Sequence, residues 1–346
     1  MRLSRGLAVP LVLTLQLLVV AQAAAEDYRP GQTYFGRNQY IEYLAGDLPV
    51  ILSAPHGGRE RPEEIPDRTD GTFAFDTNTQ ELARAVAQEL HARTGRWPHL
   101  IICRLHRRKV DCNREIVEAA AGHPLVEQAW REFQGFIDAA QEQVIRTYGR
   151  GLYIDLHGHG HPEQRLELGY LHSVEQLAES DAAVSATQFA AESSLKAVAA
   201  QSRLPYAQLL RGPLSFGAIM EQQGFRCSPS PTNPHPQSPY FRGGYNTQRH
   251  GRDAAPLAGL QIETYSRGVR DTAASREKFA KALATTLETF FELHVGLPLR
   301  APPRIEAATV ARVGQFGQTC TGSAMCQRRP CLARFFCRKD RAVCCR

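Results

Sequence analysis

The stretch Leu152-Tyr153-Ile154-Asp155-Leu156-His157-Gly158-His159-Gly160-His161 decides the fold of this chain. Its first half, Leu152–Leu156, is apolar and is typical of a buried β-strand, while the glycines after it indicate where the strand ends. Polar residues directly after such a strand lie at the carboxyl edge of a sheet, where open α/β sheets place their functional sites. The stretch therefore predicts a strand that delivers histidine to a site.

Apolar runs on both sides of this stretch predict a sheet with helices between its strands. The other predicted strands are Pro49–Ala54, Leu100–Leu105, Leu168–His172 and Leu260–Tyr265. Apolar residues at three- and four-residue steps predict helices over Thr77–Thr94, Pro124–Tyr148, Ala182–Ser202, Ser215–Gln223 and Ala273–Val295. Strands that alternate with helices of this length favour an α/β fold, a three-layer αβα sandwich around a mixed, largely parallel sheet. Ser228–Pro256, rich in proline, glycine and asparagine, is predicted to be a long functional loop.

Composition excludes several classes of protein. The chain has 346 residues, of which 43% are hydrophobic and 22% charged, so it is neither disordered nor a coiled coil as a whole. Seven basic residues and one acidic residue fall in Cys320–Arg346. Their net charge equals the formal +6 of the whole chain. The remainder is close to neutral, which excludes a polycationic nucleic-acid binder.

The N-terminus predicts secretion. Arg2 and Arg5 precede the apolar run Leu7–Val20, and small residues follow before Glu26, as in a signal peptide over residues 1–25. A membrane anchor is the alternative, but the run is shorter than the roughly 20 residues that a spanning helix needs. No later segment is long and apolar enough to span a membrane. We therefore expect an extracellular protein whose main domain covers residues 26–300.

The C-terminus predicts a separate module. Six of the nine cysteines lie within residues 320–346, after a linker over residues 301–319. In a secreted chain this density favours three disulfides in a module too small to have a core of its own. The module is expected either to contact anionic surfaces through its basic residues or only to cap the structure. The main domain keeps Cys103, Cys112 and Cys227, an odd number that leaves at least one thiol free or paired outside that domain.

Ionisable residues follow four predicted strands. The segments that contain them are Ala54-Pro55-His56-Gly57-Gly58-Arg59-Glu60, Arg107-Arg108-Lys109-Val110-Asp111-Cys112-Asn113-Arg114, Asp155-Leu156-His157 and Gln261-Ile262-Glu263. Zinc in hydrolases takes three protein ligands from histidine and carboxylate and leaves one position for water. His56, Glu60 and His157 are therefore candidate zinc ligands, with the hydrogen-bonded histidine of an ordinary core as the alternative.

Two further groups complete a candidate hydrolase site. Glu263 ends an apolar strand, where a buried charge is costly unless it is used or paired, so it is either a general base or half of a salt bridge. Arg107, Asn113 and Arg114 concentrate donors that suit a substrate carboxylate. A solvated basic surface is the alternative for this second group.

Taken in order, these motifs resemble the N-formylglutamate amidohydrolase family, which is related to the zinc carboxypeptidases. The resemblance also includes the loop segments Gly243-Gly244-Tyr245 and Arg249-His250-Gly251, and it spans about Val50 to Ser266 but not the tail. It implies a carboxypeptidase-like αβα fold, Zn²⁺ as the cofactor, and an amide bond as the target.

The resemblance also implies a role for each matching residue. The zinc ligands would be His56, Glu60 and His157, and Glu263 would be the catalytic base. Asp111 would orient His56 from behind. The substrate would be bound by Arg107, Asn113, Arg114 and Arg249.

Three departures from the carboxypeptidase pattern matter. The first acid stands one position later than in His-x-x-Glu, so Glu63, Glu64 and Asp76 are alternatives to Glu60 as third ligand. His159 and His161 are additional histidines, either extra ligands or surface residues. Gly158 stands where carboxypeptidases carry serine.

The leading hypothesis is a secreted zinc hydrolase of amide bonds next to a carboxylate-bearing amino acid, acting on a small N-acyl amino acid or a peptide. One alternative is a metallocarboxypeptidase that trims peptides, which an open groove rather than a closed pocket would favour. The other is a catalytically silent binding or host-defence protein that works through its basic, cysteine-rich tail.

Overall fold

The apolar runs of the sequence form the strands of one sheet. The computed structural model describes residues 28–300, and within this range it contains eight strands in a single sheet. They are β1 (Thr33–Phe35), β2 (Ile41–Leu44), β3 (Val50–Ala54), β4 (His99–Cys103), β5 (Leu152–Gly158), β6 (Leu166–Gly169), β7 (Cys227–Ser228) and β8 (Ala258–Thr264).

The strand order places the predicted site strands side by side. The order is β1-β2-β4-β3-β5-β8-β6-β7, and the four central strands β4, β3, β5 and β8 are parallel to one another. Strands β1, β2 and β6 join them by antiparallel pairing, and β7 runs parallel to β6. Since parallel strands end at the same edge, the segments after β3, β4, β5 and β8 meet there.

Helices cover both faces of the sheet. Those described are α1 (Thr79–Thr94), α2 (Ile116–Ala120), α3 (Pro124–Tyr148), α4 (Val174–Ala178), α5 (Asp181–Val184), α6 (Thr187–Glu192), α7 (Lys196–Ala199), α8 (Tyr206–Arg211), α9 (Phe216–Gln222), α10 (Tyr245–Thr247) and α11 (Ala273–Phe290). Short helical turns lie at Arg37–Gln39, Gln248–Arg252, Ser266–Arg270 and Phe291–Val295.

Side chains of the central strands point alternately to the two faces of the sheet, and each face has its own hydrophobic core. On β3, Leu52 packs into one core with Leu82 of α1 and Leu283 of α11, whereas Ile51 faces the other core with Phe133 of α3. Successive side chains of a strand point to opposite faces, so one strand serves both layers. The predicted α/β fold, with a mixed, largely parallel sheet between two helical layers, is confirmed.

The predicted elements differ from the observed ones in instructive places. Helix α3 has the predicted bounds, with Pro124 in its first turn and Gly149 in the left-handed conformation after its end. The single predicted helix Ala182–Ser202 is wrong, because the segment forms three short helices, α5, α6 and α7. Ser180 caps the start of α5, and Ser193, whose hydroxyl accepts a hydrogen bond from the Leu195 N–H, lies at the break between α6 and α7.

The strand predicted at Leu168–His172 lies earlier, as β6, because the backbone turns at Leu171 with a φ of 74°. The short strands β1, β2 and β7 and the short helices α2, α4, α8 and α10 were not predicted.

Several predictions concern residues outside the described range. The signal peptide, the linker and the cysteine-rich module all fall there. Within residues 28–300, Cys103, Cys112 and Cys227 are free thiols and are buried. No helix in the described part combines the length and the apolar character needed to cross a membrane.

Candidate metal centre

The carboxyl ends of the four central strands meet in one cavity of about 350 Å³. The expectation that four strand ends converge is therefore correct. The cavity is lined by His56, Thr72, Asp76, Arg107, Asn113, Arg114, His157, Gly158, Tyr240, Phe241, Arg242, Gly243, Gly244, Gln261 and Glu263.

At the base of the cavity, His56, Asp76 and His157 form a buried group whose ligand atoms all lie within 4.8 Å of one another. Asp76 Oδ2 is 3.2 Å from His157 Nδ1 and 3.6 Å from His56 Nδ1. The backbone fixes this arrangement, because the Asp76 N–H donates to the His56 carbonyl at 3.0 Å and the Gly158 N–H donates to Asp76 Oδ2 at 3.0 Å. Three groups from distant parts of the chain thus face one point.

Both imidazole rings are held from behind by carboxylates. His56 Nε2 lies 2.6 Å from Asp111 Oδ1, and His157 Nε2 lies 2.8 Å from Asp155 Oδ2. A carboxylate at Nε2 fixes the proton there and leaves the Nδ1 lone pair for a ligand, the usual arrangement behind a metal-binding histidine. His56 Nδ1 is buried and has no hydrogen-bond partner among the described residues. The geometry predicted for Asp111 is present, and Asp155 repeats it for the second ring.

The electrostatics of this group favour a cation. Burial would raise the pKa of Asp76, but its hydrogen bond to His157, the nearby His56 Nδ1 at 3.6 Å and the charges of both rings hold that pKa well below its usual range. Burial opposes the ionised form of Asp111 and of Asp155 too, yet the neighbouring histidines lower the pKa of each. Burial likewise opposes a charged His157, but Asp155 raises the pKa of that ring well above 6.5, so a metal ion at Nδ1 would take the place of a proton there. Several ionised carboxylates around two imidazoles compensate a positive charge between them.

Two imidazole nitrogens and one carboxylate oxygen are a common donor set of catalytic zinc. The unpartnered Nδ1 of His56, the buried Asp76 and the carboxylates behind both rings fit such an ion.

Glu60, which the resemblance favoured as the third ligand, is not part of this group. After Gly58 the chain runs beside the segment that follows β4, where Glu60 forms a bridge with Leu105. This pairing turns the Glu60 side chain toward Arg104, whose Nη2 lies 2.7 Å from its Oε1. Glu63 and Glu64 are exposed and also lie outside the group. The acid beside the two histidines is Asp76, the remaining alternative.

Strand register places Glu263 next to the histidine group. In the parallel pair of β5 and β8, Glu263 is directly opposite His157, so the two residues share a face on adjacent strands. Burial, more than the neighbouring carboxylates, raises the pKa of Glu263 to about 8. Its Oε1 accepts a hydrogen bond of 2.9 Å from Gln261 Nε2. The candidate base is therefore in the same cavity as the candidate metal ligands, with a carboxyl group able to gain and lose a proton near neutral pH.

The predicted anion-binding residues line the cavity, but most of their polar groups already have partners. Arg107 donates to Asp111 through Nε at 3.0 Å, and its Nη2 lies 3.0 Å from the same oxygen. Arg114 pairs with Glu118 at 3.0 Å. Asn113 accepts a hydrogen bond from the Asn246 N–H at 2.8 Å. Arg107 thus supports Asp111, and through it His56, as well as facing the cavity.

Arg249, also assigned to the substrate, does not line the cavity. Its guanidinium lies 2.7 Å from Asp138 Oδ2 on α3 and contacts the Tyr245 hydroxyl. The short helical turn at Gln248–Arg252 directs Arg249 toward α3, while His250 of the same turn is buried against Gln134 and Gln141. The structure therefore does not bring Arg249 together with the other predicted substrate-binding residues.

His159 and His161 form a second group with Glu167, within metal-binding distance of one another. The His159 ring lies with Nε2 2.9 Å from the Arg165 carbonyl, and its Nδ1 accepts the His161 N–H at 3.1 Å. Both ring nitrogens of His159 are therefore occupied. His161 Nδ1 lies 2.9 Å from Glu167 Oε1, and its ring stacks on Phe241 with centroids 4.6 Å apart.

The space that a side chain at position 158 would occupy is filled by Arg270, so glycine fits there. A Cβ at this position would lie 2.5 Å from Cζ of Arg270. The Arg270 guanidinium is fixed by donating to three backbone carbonyls, those of Thr264, Thr77 and His159.

The loop after β7 covers one side of the cavity and is tied to β6. The Phe241 N–H donates to Glu167 Oε2 at 2.8 Å, and the Tyr240 hydroxyl donates to the Leu168 carbonyl at 2.5 Å. Gly243 has a φ of 112°, which favours glycine. A Cβ on Gly244 would lie 2.5 Å from Asn113 Nδ2, so glycine there leaves room for that amide.

Two supporting residues were not assigned roles from the sequence. Asp155 stands two positions before His157 on one strand, and residues at that spacing share a face, which is the signal that identifies it. Arg242 precedes the Gly243-Gly244 pair and lines the cavity, but nothing in its local sequence distinguishes it from a surface arginine.

Comparison with known proteins gives structural similarity only. No protein-family model matches the chain, and no curated protein matches it. Among solved structures, N-formylglutamate amidohydrolase from Ralstonia eutropha JMP134 is 13% identical, over 74% of this chain and 99% of that one, with a TM-score of 0.45. Gene product Atu2144 from Agrobacterium tumefaciens is 15% identical over 72% and 93% of the two chains, with a TM-score of 0.42. The N-acetylmuramyl-L-alanine amidase Ami1 from Mycobacterium abscessus is 11% identical over 70% and 97%, with a TM-score of 0.31. One of these structures has the name of the family that the motifs resemble.

Proposed function

We propose that this chain is a zinc-dependent hydrolase that cleaves an amide bond next to a carboxylate-bearing amino acid, as in N-formylglutamate or another N-acyl amino acid. One observation carries the proposal. The Nδ1 atoms of His56 and His157 face the buried Asp76, carboxylates hold both rings from behind, and Glu263 lies beside them in one cavity.

The metal would be held by His56, Asp76 and His157. When bound, zinc acts as a Lewis acid toward the scissile carbonyl and makes water acidic enough to react near neutral pH. Asp111 and Asp155 keep the two rings oriented, so little reorganisation is needed for the ion to bind.

Glu263 would move the proton. Its carboxylate accepts a proton from the attacking water as the new C–O bond forms. The same carboxyl group then donates that proton to the amide nitrogen as the C–N bond breaks, which releases a carboxylic acid and an amine. The pKa of about 8, raised by burial, suits a group that has to gain and lose a proton in one cycle.

The walls of the cavity favour an anionic substrate. Arg107, Arg114 and Arg242 line it, and the amide of Asn113 adds a polar group between them. Guanidinium groups bind carboxylates strongly, so a substrate with a free carboxylate next to the scissile amide matches this lining. The predicted signal peptide makes an extracellular N-acyl amino acid or peptide part of the same proposal.

Glu263→Gln tests the proposal most directly. The purified protein should contain about one zinc per chain and hydrolyse N-formyl- or N-acetylglutamate. Glu263→Gln should keep the metal and lower kcat by about 10²–10⁴-fold, because an amide cannot carry the proton. Metal content is measured by inductively coupled plasma mass spectrometry and turnover by the release of free glutamate.

The matched control is Glu63→Gln, an exposed glutamate outside the cavity, which should retain full activity. A wild-type protein that neither binds zinc nor cleaves any N-acyl amino acid would contradict the proposal. Full activity in Glu263→Gln would remove Glu263 from this role.

A further inference from the structure

A second cavity of about 380 Å³ lies beside the candidate metal centre. The two cavities share Arg242, Gly243 and Gly244, which line both. The other residues around the second cavity are Leu171, Gln176, Glu192, Gln248 and Arg252. None of these belongs to the metal group or to the predicted substrate-binding set.

Arg242 differs from the other arginines of the first cavity. Arg107 pairs with Asp111 and Arg114 with Glu118, so much of their charge is already compensated. Within residues 28–300, the Arg242 side chain makes no ion pair and no hydrogen bond, and the residue is exposed. The charge of Arg242 acts on Glu175 nearby, but its guanidinium donors are not used by any described residue. A guanidinium with free donors, at the junction of two cavities, is available for an anionic group of a ligand.

The backbone that carries Arg242 is fixed. The Leu171 N–H donates to the Arg242 carbonyl at 2.7 Å, and the Gly244 N–H donates to Gln261 Oε1 at 3.0 Å. On the other side, the Phe241 N–H is bound by Glu167. Arg242 therefore projects from a segment anchored on both sides, as a specificity residue requires.

The size and the polarity of the second cavity indicate which kind of ligand it would bind. A cavity of about 350 Å³ is at the small end of the roughly 300–1,000 Å³ that ligand sites occupy, whereas the two together are in the middle of that range. Glutamine, glutamate and arginine side chains surround the second cavity, with Leu171 as its apolar contribution. Such a lining suits the amide groups of a peptide better than a fatty acyl chain.

We infer that the substrate extends from the metal centre along Arg242–Gly244 into the second cavity, and that Arg242 binds an acidic group of it. The substrate class is then an acidic N-acyl peptide rather than a lone N-acyl amino acid. The identity of the cleaved bond rests on the proposed function, but the binding of the extended ligand does not.

Calorimetry with a series of N-acetylated peptides tests this inference. The series contains one to four residues, ends in glutamate, and carries either alanine or aspartate at the upstream positions. Titrations use the full chain with Glu263→Gln, so that turnover does not consume the ligand. Affinity should increase at least tenfold from N-acetylglutamate to the longer peptides, and aspartate-containing peptides should bind more tightly than their alanine counterparts.

Two variants separate the parts of the inference. Gln248→Trp fills the second cavity and should abolish the gain in affinity with length, with N-acetylglutamate as the reference ligand. Arg242→Gln should remove the preference for aspartate, about a tenfold effect. The control is Arg131→Gln, an exposed arginine of α3 paired with Glu127, which should change neither.

The outcomes distinguish the two proposals. Affinity that does not depend on length, a length effect that persists in Gln248→Trp, or no binding of any peptide would each overturn the inference. Wild-type hydrolysis of N-acetylglutamate together with length-independent binding would refute the inference alone. Length-dependent binding without wild-type hydrolysis of any peptide would refute the proposed function and leave the inference standing.

Discussion

Two histidine groups stand side by side at the end of β5, and they differ in what their ring nitrogens do. The first contains His56, Asp76 and His157; the second contains His159, His161 and Glu167. Each group consists of two histidines and one acid whose ligand atoms all lie within 4.8 Å of one another. In the first group, Nε2 of each ring is held by a carboxylate and Nδ1 faces Asp76. In the second, both nitrogens of His159 are engaged by the backbone.

The comparison teaches that metal binding depends on a free lone pair, and the presence of imidazole near carboxylate is not enough. His159 would have to give up two hydrogen bonds before it could bind an ion, at a cost of about 1 kcal/mol or more for each. His56 has nothing to give up at Nδ1. We therefore expect the first group to bind metal and the second to hold the loop that carries Phe241.

Replacing one histidine by alanine in each group gives the largest expected difference in metal content and activity. His157→Ala removes one of three ligands and should abolish zinc binding and lower activity by at least 10³-fold. His161→Ala should keep full metal content, since the contacts that it loses are to Glu167, Phe241 and His159, none of them in the first group. Metal analysis after dialysis, with circular dichroism to confirm folding, measures both. Loss of zinc in His161→Ala but not in His157→Ala would reverse the assignment.

Substitution of the third ligand gives the next largest effect. Asp76→Ala should weaken zinc binding by several orders of magnitude, because it removes a ligand and leaves two imidazoles without their shared acid. Glu60→Ala should leave affinity unchanged, since its carboxylate pairs with Arg104 outside the group. Competition against a chelator of known affinity measures the constant. A large loss in Glu60→Ala would show that the loop rearranges around the ion.

His99, a buried histidine remote from both groups, gives the smallest expected effect, which is on the pH dependence of the free energy of unfolding. The Tyr43 hydroxyl and the Gly46 N–H lie 2.8 and 3.2 Å from His99 Nδ1, and burial lowers the pKa of this ring to about 3. Below about pH 6.5 the unfolded chain takes up a proton that the folded chain does not. The free energy of unfolding should therefore decrease as the pH falls from about 6 to 4, by up to about 1.4 kcal/mol per pH unit from this residue.

His99→Asn keeps an acceptor near the Nδ1 position and removes the titrating group. Its free energy of unfolding should depend less steeply on pH between 6 and 4 than that of the wild type. Urea denaturation at several pH values measures the two slopes. Equal slopes would show that His99 does not contribute to acid sensitivity.

The central sheet could be predicted from the sequence because its strands are buried and mostly apolar and lead into polar motifs. The edges could not. Strands β1 and β7 are short, and Thr33–Phe35 of β1 alternates between exposed and half-buried residues without an apolar run. The segment Ala182–Ser202 has helical composition, and its pattern of apolar residues does not show the breaks between its three short helices. At one break, between α6 and α7, the Ser193 hydroxyl accepts a hydrogen bond from the Leu195 N–H.

The candidate site was predictable where residues are attached to strands and less so where they lie on loops. His56, His157 and Glu263 follow or end neighbouring strands, so their proximity follows from parallel pairing. Asp76 reaches the site through a long loop, and its position depends on a backbone hydrogen bond to His56 that no local pattern indicates. Glu60 is much closer in sequence to His56, yet strand-like pairing carries it away.

The packing of Arg270 against Gly158 has a consequence for how related chains can vary. Serine at position 158 would place its Cβ against the Arg270 guanidinium, which three carbonyls hold in place. Homologues with a residue larger than glycine at position 158 should therefore carry a residue smaller than arginine at position 270. Covariation between these two sites would mark which chains share this architecture around the candidate metal ligands.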